Sequence, residues 1–200
     1  MLDPDLLLRA YAGGLFPMAD ADGTLGWYAP DPRAVLPLED FHVPKTLARL
    51  VRQGRFNVTT DGAFEAVMRA CAAPAEGREE TWISEELVQA YTALHWRGIA
   101  HSVEVRDPDG ALVGGLYGVA LRGAFFGESM FHTARDASKV ALVHLVERLQ
   151  RGGFTLLDVQ FRTAHLARFG VVEVPRRAYE RQLAWAMTVE ADWAGQDRPR

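Results

Sequence analysis

The run GGLYGVALRGAFFGESMFHTARDASK, Gly114 to Lys139, constrains this chain more than any other stretch, because it sets an acidic residue inside an otherwise apolar hairpin. Arg122-Gly123 supplies a tight turn, and Glu128 and Ser129 lie between Phe125-Phe126-Gly127 and Met130-Phe131. A carboxylate in such surroundings needs a partner, since leaving a buried charge unpaired costs on the order of several kcal/mol. The expectation that follows is a pocket for a cationic or amine-bearing ligand.

A chain of 200 residues with 48% hydrophobic and 24% charged content can bury one substantial core, or a core and a small appended lobe. Its formal net charge of −4 argues against indiscriminate binding to polyanions, so any contact with nucleic acid must be local. One basic patch fits. Lys45, Arg49 and Arg52 recur at i, i+4 and i+7 with Arg55 just beyond, and no acidic residue lies between Asp40 and Asp61. The pattern alone equally describes the solvated side of an amphipathic helix whose other side is Leu47, Leu50 and Val51.

The single cysteine, Cys71, excludes an internal disulfide, and the six histidines show no metal-binding spacing, so no metal is expected. Asp3, Asp5 and Arg9 interrupt any signal-peptide core, and Gly110 to Leu121 is too short an uncharged run to cross a bilayer. These features point to a cytoplasmic protein without a membrane partner.

Asp3-Pro4 reads as a cap and first turn of a short helix stopped by Gly13-Gly14. Leu25 to Arg33 reads as irregular, and a small lobe is expected to end near residue 36. Beyond it the pattern predicts helices over 44–53, from Phe64 through Cys71, from Ser84, over 137–150 and 177–187, with a short one over 165–169. Strands are expected over 56–60, 101–106, 112–119, up to Glu128, 155–160 and 171–174, with a loop over 72–80. The domain division is therefore 1–36, 37–190 and a loose polar tail over 191–200.

Asp158 and Gln160 stand two apart in the strand LLDVQF, which directs both side chains to one face and Leu157 and Val159 to the other. Two hydrogen-bonding groups there either tether a loop or prepare a polar site, and Glu128 makes a third such group. Ser129 lacks a nucleophile elbow and Cys71 sits on an apolar helical face, so neither reads as a nucleophile.

With LFPM (15–18), WYAPDPR (27–33), TWI (81–83), HSVEV (101–105), GGLYG (114–118), FFGESMF (125–131), ASK (137–139), LLDVQF (156–161) and VPRRAY (174–179) in order along it, the chain resembles the leucyl/phenylalanyl-tRNA protein transferase family. The resemblance implies an α+β fold: a small N-terminal lobe, then a GCN5-related acetyltransferase-like domain with a mixed, largely antiparallel sheet flanked by helices. It also implies transfer of leucine or phenylalanine from tRNA to proteins beginning with arginine or lysine, marking them for degradation, with no cofactor, because the donor arrives already activated.

By position, Asp158, Gln160 and Glu128 correspond to the family's catalytic groups, Gln160 accepting a hydrogen bond from the attacking amine while Asp158 holds its amide. Leu116, Leu142, Leu145, Leu149 and Leu157 correspond to the apolar pocket for the transferred side chain. Met18 and Tyr28 correspond to the adenosine-binding positions, where other members carry tryptophan. Lys45, Arg49, Arg52 and Arg55 correspond to the basic cluster for the tRNA acceptor arm. The competing readings are an acyl-CoA-dependent N-acetyltransferase, which should carry a glycine-rich turn where this chain has HTARDASK, and a noncatalytic module that reads basic amino termini through Glu128.

Overall fold

Asp3 opens the first helix as its sequence predicts: its carboxylate accepts the Asp5 N–H at 2.9 Å, Pro4 takes the first helical position, and Gly13 ends the helix. This computed structural model describes residues 2–20, 22–74 and 81–194. Helix α1 (Pro4–Ala12) leads into strands β1 (Phe16–Ala19) and β2 (Leu25–Tyr28), which form an antiparallel hairpin with Phe16 opposite Tyr28. The segment read as irregular thus contains a regular four-residue strand, which its pairing with β1 defines and no alternation of its own announces.

The chain continues through β3 (Arg33–Val35), α2 (Lys45–Arg52), β4 (Asn57–Thr60), α3 (Phe64–Ala72), α4 (Glu85–Trp96), β5 (Ala100–Arg106), β6 (Leu112–Leu121) and β7 (Ala124–His132). It closes with α5 (Ala137–Arg151), β8 (Leu156–Gln160), α6 (Ala164–Ala167), β9 (Val172–Val174) and α7 (Arg176–Ala186). Strand β7 runs four residues past the expected end at Glu128, because it stays paired with β6 as far as His132. Of the expected loop over 72–80, residues 75–80 lie outside the described residues.

Seven strands form one sheet in the order β4-β5-β6-β7-β8-β3-β9, antiparallel except where β7 meets β8. The period of two along each strand divides the core. Phe126 and Leu156 pack with Tyr11, Met68, Tyr91 and Tyr179 of α1, α3, α4 and α7. Their neighbours Phe125 and Leu157 pack on the other face with Leu47 of α2 and Leu142, Leu145 and Leu149 of α5.

Two irregularities sit side by side where β7 and β8 run parallel. In β7 the register passes from Gly127 opposite Gly118 to Ser129 opposite Tyr117, leaving Glu128 as the extra residue of a bulge. A Cβ on Gly118 would come within 2.2 Å of the Phe126 carbonyl oxygen, so the bulge is possible only opposite glycine. In β8, Asp158 and Gln160 pair with the adjacent residues Val35 and Ala34, leaving Val159 as the extra residue. Pairing between β7 and β8 ends at Phe126 opposite Asp158, just before both bulges.

The polar C-terminal segment is held to the core at Trp193. Trp193 is buried, stacked on His101 and Phe125 with ring centroids 4.4 and 5.4 Å away, and its indole N–H donates to Asp61 at 2.8 Å. One large aromatic is enough to tie down a short polar stretch. Residues 195–200 of the expected tail lie outside the described residues. Replacing Trp193 with alanine should lower the unfolding free energy by about 3 to 5 kcal/mol in urea titrations, whereas a change below about 1 kcal/mol would mean that the anchor does not hold.

Candidate active site

Past their last paired residues β7 and β8 part, and the gap is a cavity of about 490 Å³, within the usual size of a small-molecule site. Leu116, Leu142, Leu145, Leu157 and Met130 line its apolar wall, and Glu128, Ser129 and Gln160 add polar groups. Four of the five leucines expected there therefore face it. Leu149 does not: it lies one helical turn beyond Leu145, fully buried in the core.

Asp158 also turns away from the cavity, which corrects the expectation that it shares a face with Gln160. It follows Leu156 to the opposite side of the sheet, while Leu157 and Val159 line the gap. Gln160 joins them because its φ of 58° breaks the strand alternation. The two residues remain linked through the main chain, since the Gln160 N–H donates to Asp158 Oδ1 at 2.9 Å.

Asp158 is fully buried and heavily bonded. Arg33 Nε and Nη2 donate to its two oxygens at 2.9 and 2.8 Å, and the Tyr179 hydroxyl donates at 2.6 Å. Arg33 itself is only 1% exposed, with its guanidinium 4.7 and 4.6 Å from the ring centroids of Phe16 and Tyr179 and Nη1 donating to the Gly14 carbonyl at 3.1 Å. Burial works against its charge, but the bonds and charge of Asp158 outweigh that and strengthen its hold on the proton. Burial, and then the nearby Asp158 charge, raise the Tyr179 hydroxyl above its ordinary value.

On the cavity side, Gln160 Nε2 donates to Glu128 Oε1 and the Tyr91 hydroxyl donates to Oε2, both at 3.2 Å, and Tyr91 in turn bonds the Tyr11 hydroxyl. One chain of hydrogen bonds thus runs from Tyr179 through Asp158, Gln160 and Glu128 to Tyr91 and Tyr11. Burial, assisted by the charge on Asp158, raises Glu128 to about 8. Near neutrality Glu128 is largely protonated. Within the protein, tyrosine and amide hydrogen bonds and a retained proton satisfy the buried carboxyl.

Met18 and Tyr28 lie on the N-terminal hairpin and neither lines the cavity. The hairpin nonetheless reaches it: Phe16 stacks on Tyr28 and meets Phe161, a cavity residue, edge to face at 5.8 Å. Lys45, Arg49, Arg52 and Arg55 are all exposed on and just after α2, and Arg49 and Arg55 also line a separate groove of about 740 Å³. Among the described residues no cluster of three His, Cys, Asp or Glu side chains could hold a metal ion. No helix among them is long and apolar enough to cross a membrane.

Sequence reasoning missed Arg33, Tyr11, Tyr91 and Tyr179. Arg33 and Tyr179 fall within WYAPDPR and VPRRAY, so their partners were the missing information, while Tyr91 lies in the helix expected from Ser84, where an inward aromatic carries no separate signal.

A seven-stranded mixed sheet that parts over an apolar cavity with a polar rim defines an α+β fold. The structure of FemX shares this fold at a TM-score of 0.51, with 11% identity over 91% of this chain and 65% of that one, so the chain spans less than two thirds of its length. A GCN5-related N-acetyltransferase from Kribbella flavida aligns at a TM-score of 0.44 with 12% identity, covering 85% of this chain and 60% of that one.

The sequence is more specific. Residues 35–184 match the model for leucyl/phenylalanyl-tRNA protein transferase, and residues 1–31 match that for its N-terminal domain. Proteins so named from Salinibacter ruber and Rubrobacter xylanophilus are 58% and 55% identical, covering 96% of this chain and 83% and 99% of theirs. The chain belongs to the leucyl/phenylalanyl-tRNA protein transferase family and is an aminoacyltransferase.

Breaking the buried pair by Arg33→Met should cost about 3 to 5 kcal/mol, because Asp158 is left uncompensated; a loss under about 1 kcal/mol in urea unfolding would contradict this. Glu128 gives a pH signature. Its folded-state pKa lies above the 4.5 of a free carboxyl, so its contribution to stability is complete below about pH 4.5 and is lost as pH rises through about 8. The stability of wild type relative to Glu128→Gln should therefore fall from pH 5 to 8, and parallel stability curves would refute the assignment.

Proposed function

We propose that this enzyme transfers leucine or phenylalanine, with methionine as a further donor, from aminoacyl-tRNA to the α-amino group of proteins that begin with arginine or lysine. The product carries a new amino-terminal residue that marks it for proteolysis, and the reaction takes place in the cytoplasm. The observation that supports this reading is the hydrogen bond between Gln160 and Glu128 at the rim of a leucine-walled cavity, with Asp158 holding the Gln160 main chain from behind.

The chemistry demands little of the protein. The attacking amine nitrogen forms a bond to the ester carbonyl carbon, the bond from that carbon to the ribose oxygen breaks, and the proton lost by the amine is balanced by one gained at the ribose oxygen. A peptide α-amine with a pKa near 8 is roughly one tenth neutral at pH 7, and the ester is already activated. Positioning and electrostatics therefore suffice.

Gln160 Nε2 is committed to Glu128, which leaves its side-chain carbonyl to accept a hydrogen bond from the amine. Asp158 acts through the Gln160 main chain and is a positioning residue. Leu116, Leu142, Leu145 and Leu157 receive the transferred side chain. Met18 and Tyr28 meet the terminal adenosine, and Lys45, Arg49, Arg52 and Arg55 meet the acceptor arm. Glu128 engages the basic first side chain of the acceptor protein, and an approaching guanidinium favours its ionised form, so peptide binding near pH 7 releases a proton.

Gln160→Ala should lower kcat for leucine transfer from leucyl-tRNA to an Arg-starting peptide by about a hundredfold, with KM for the tRNA changed less than threefold. An unchanged kcat would remove Gln160 from the mechanism. A wild-type protein that binds such peptides but transfers no labelled leucine or phenylalanine would overturn the reading as a whole.

A further inference from the structure

Trp193 is the only buried residue from 187 to 194, and the core holds a seat for it. At the end of α7 the Ala186 carbonyl accepts the Gly123 N–H of the β6–β7 turn at 2.9 Å, and further on the Asp192 N–H donates to the Gly152 carbonyl after α5 at 3.0 Å. Trp193 then enters with its indole N–H on Asp61 Oδ2 at 2.8 Å, a carboxylate that also bonds His101 Nδ1 and the Ser102 N–H, both at 2.9 Å. Burial works against the charge of Asp61, but those donors outweigh it and hold its carboxyl below the ordinary value. Arg148 closes the seat: its Nη1 donates to the Trp193 carbonyl at 2.7 Å, and its guanidinium lies 5.0 Å from the indole centroid.

This seat lies behind the bulge that carries Glu128. In the sheet His101 pairs with Gly118, and Gly118 with Gly127, the residue before Glu128. The Phe125 ring covers Gly118 so closely that a Cβ there would come within 2.5 Å of its Cε1. The indole stacks on both rings beside that glycine, with planes 21° apart at His101 and 14° apart at Phe125. The bulge requires glycine at 118, and glycine has no side chain with which to hold the Phe125 ring over it. Trp193 holds the ring instead, helped by an edge contact with Phe154 at 6.4 Å between centroids. Loss of the indole would empty the space beside Phe125, and a close-packed interior relaxes into such space through neighbouring side chains and backbone. The backbone next to it is β7 from Phe125 to Glu128.

We infer that Trp193 is a positioning residue for the transfer reaction, acting through Phe125 on the bulge and so keeping Glu128 within reach of Gln160. The inference rests on Glu128 taking part in the transfer, as proposed above. Trp193, Asp61, His101 and Phe125 do not line the cavity, so each acts on the reaction only through the bulge. The leverage is large, since a displacement of about 1 Å at a reacting centre costs up to roughly a hundredfold in rate.

The test compares wild type with Trp193→Ala, Trp193→Phe and Leu94→Ala. Leu94 is a fully buried side chain of α4, outside both the seat and the cavity, and its variant controls for loss of stability. All are assayed at a temperature at which circular dichroism shows each to be folded. With leucyl-tRNA and an Arg-starting peptide, Trp193→Ala should lower kcat roughly tenfold, with KM for the tRNA changed less than about threefold. Trp193→Phe keeps a ring in the seat and should lose less than about threefold in kcat, as should Leu94→Ala. In a Glu128→Gln background, Trp193→Ala should cost less than about twofold, because the group it positions is already gone. The Glu128 carboxyl, followed by carbon NMR and assigned by its absence from Glu128→Gln, titrates at about 8 in the wild type. In Trp193→Ala that midpoint should move down toward a free carboxyl, and in Leu94→Ala it should stay.

A Trp193→Ala kcat no lower than that of Leu94→Ala overturns the inference. So does a loss as large in the Glu128→Gln background as in the wild type, or a Glu128 midpoint that Trp193→Ala leaves in place. A wild-type enzyme that transfers no leucine refutes the proposed activity instead, and the titration then still decides whether Trp193 holds the bulge.

Discussion

The ion pair between Arg33 and Asp158 is the interaction on which the arrangement of this molecule depends. It joins parts of the chain 125 residues apart and draws in Tyr179 of α7 and the Gly14 carbonyl after α1. A pair so fully removed from water is not an economical source of stability, because the desolvation of both ions offsets most of their attraction. Its consequence is geometric. Asp158 cannot move while Arg33, Tyr179 and the Gln160 N–H all hold it, and Gln160 is thereby kept in a left-handed backbone conformation that an ordinary strand would not retain.

The cavity follows from a second constraint, the placing of one extra residue in each of two adjacent strands. Bulges at Glu128 and Val159 lie immediately beyond the last pair that β7 and β8 share, so the strands part where side chains from both can be turned into the gap. Glycine at 118 is the condition for the first bulge. The cavity wall comes from α5, whose apolar stripe fills the opposite side of the gap before continuing into the core at Leu149. Cavity wall and hydrophobic core are successive turns of the same helix.

Much of this was legible in the sequence. Helices α1, α4 and α5 announce themselves through Asp3-Pro4, Ser84 and the closing Gly152-Gly153, and the strands through β5 to β7 through alternation and the turns at Asp107 to Gly110 and Arg122-Gly123. Glu128 and Gln160 stood out as polar groups in apolar runs, and both line the cavity. The errors share a cause. Period-two reasoning put Asp158 beside Gln160 because bulges and a positive φ leave no trace in alternation. Charge reasoning left out the hydrogen bonds that Glu128 finds inside the protein, because the tyrosines that provide them lie 37 and 117 residues away in α4 and α1. Trp193 was lost in a polar tail for the same reason: its partners, Asp61, His101 and Phe125, are distant in the chain.

The central claim is that the parted strands hold the transferred side chain while Gln160 faces the reacting carbon. A crystal structure with leucyl-adenosine in which an amide replaces the reactive ester tests it most directly. The account predicts the leucyl side chain between Leu116, Leu142, Leu145 and Leu157, with the aminoacyl carbonyl next to Gln160. An aminoacyl group bound outside that cavity, or one lying in it with Gln160 turned away, would contradict the account.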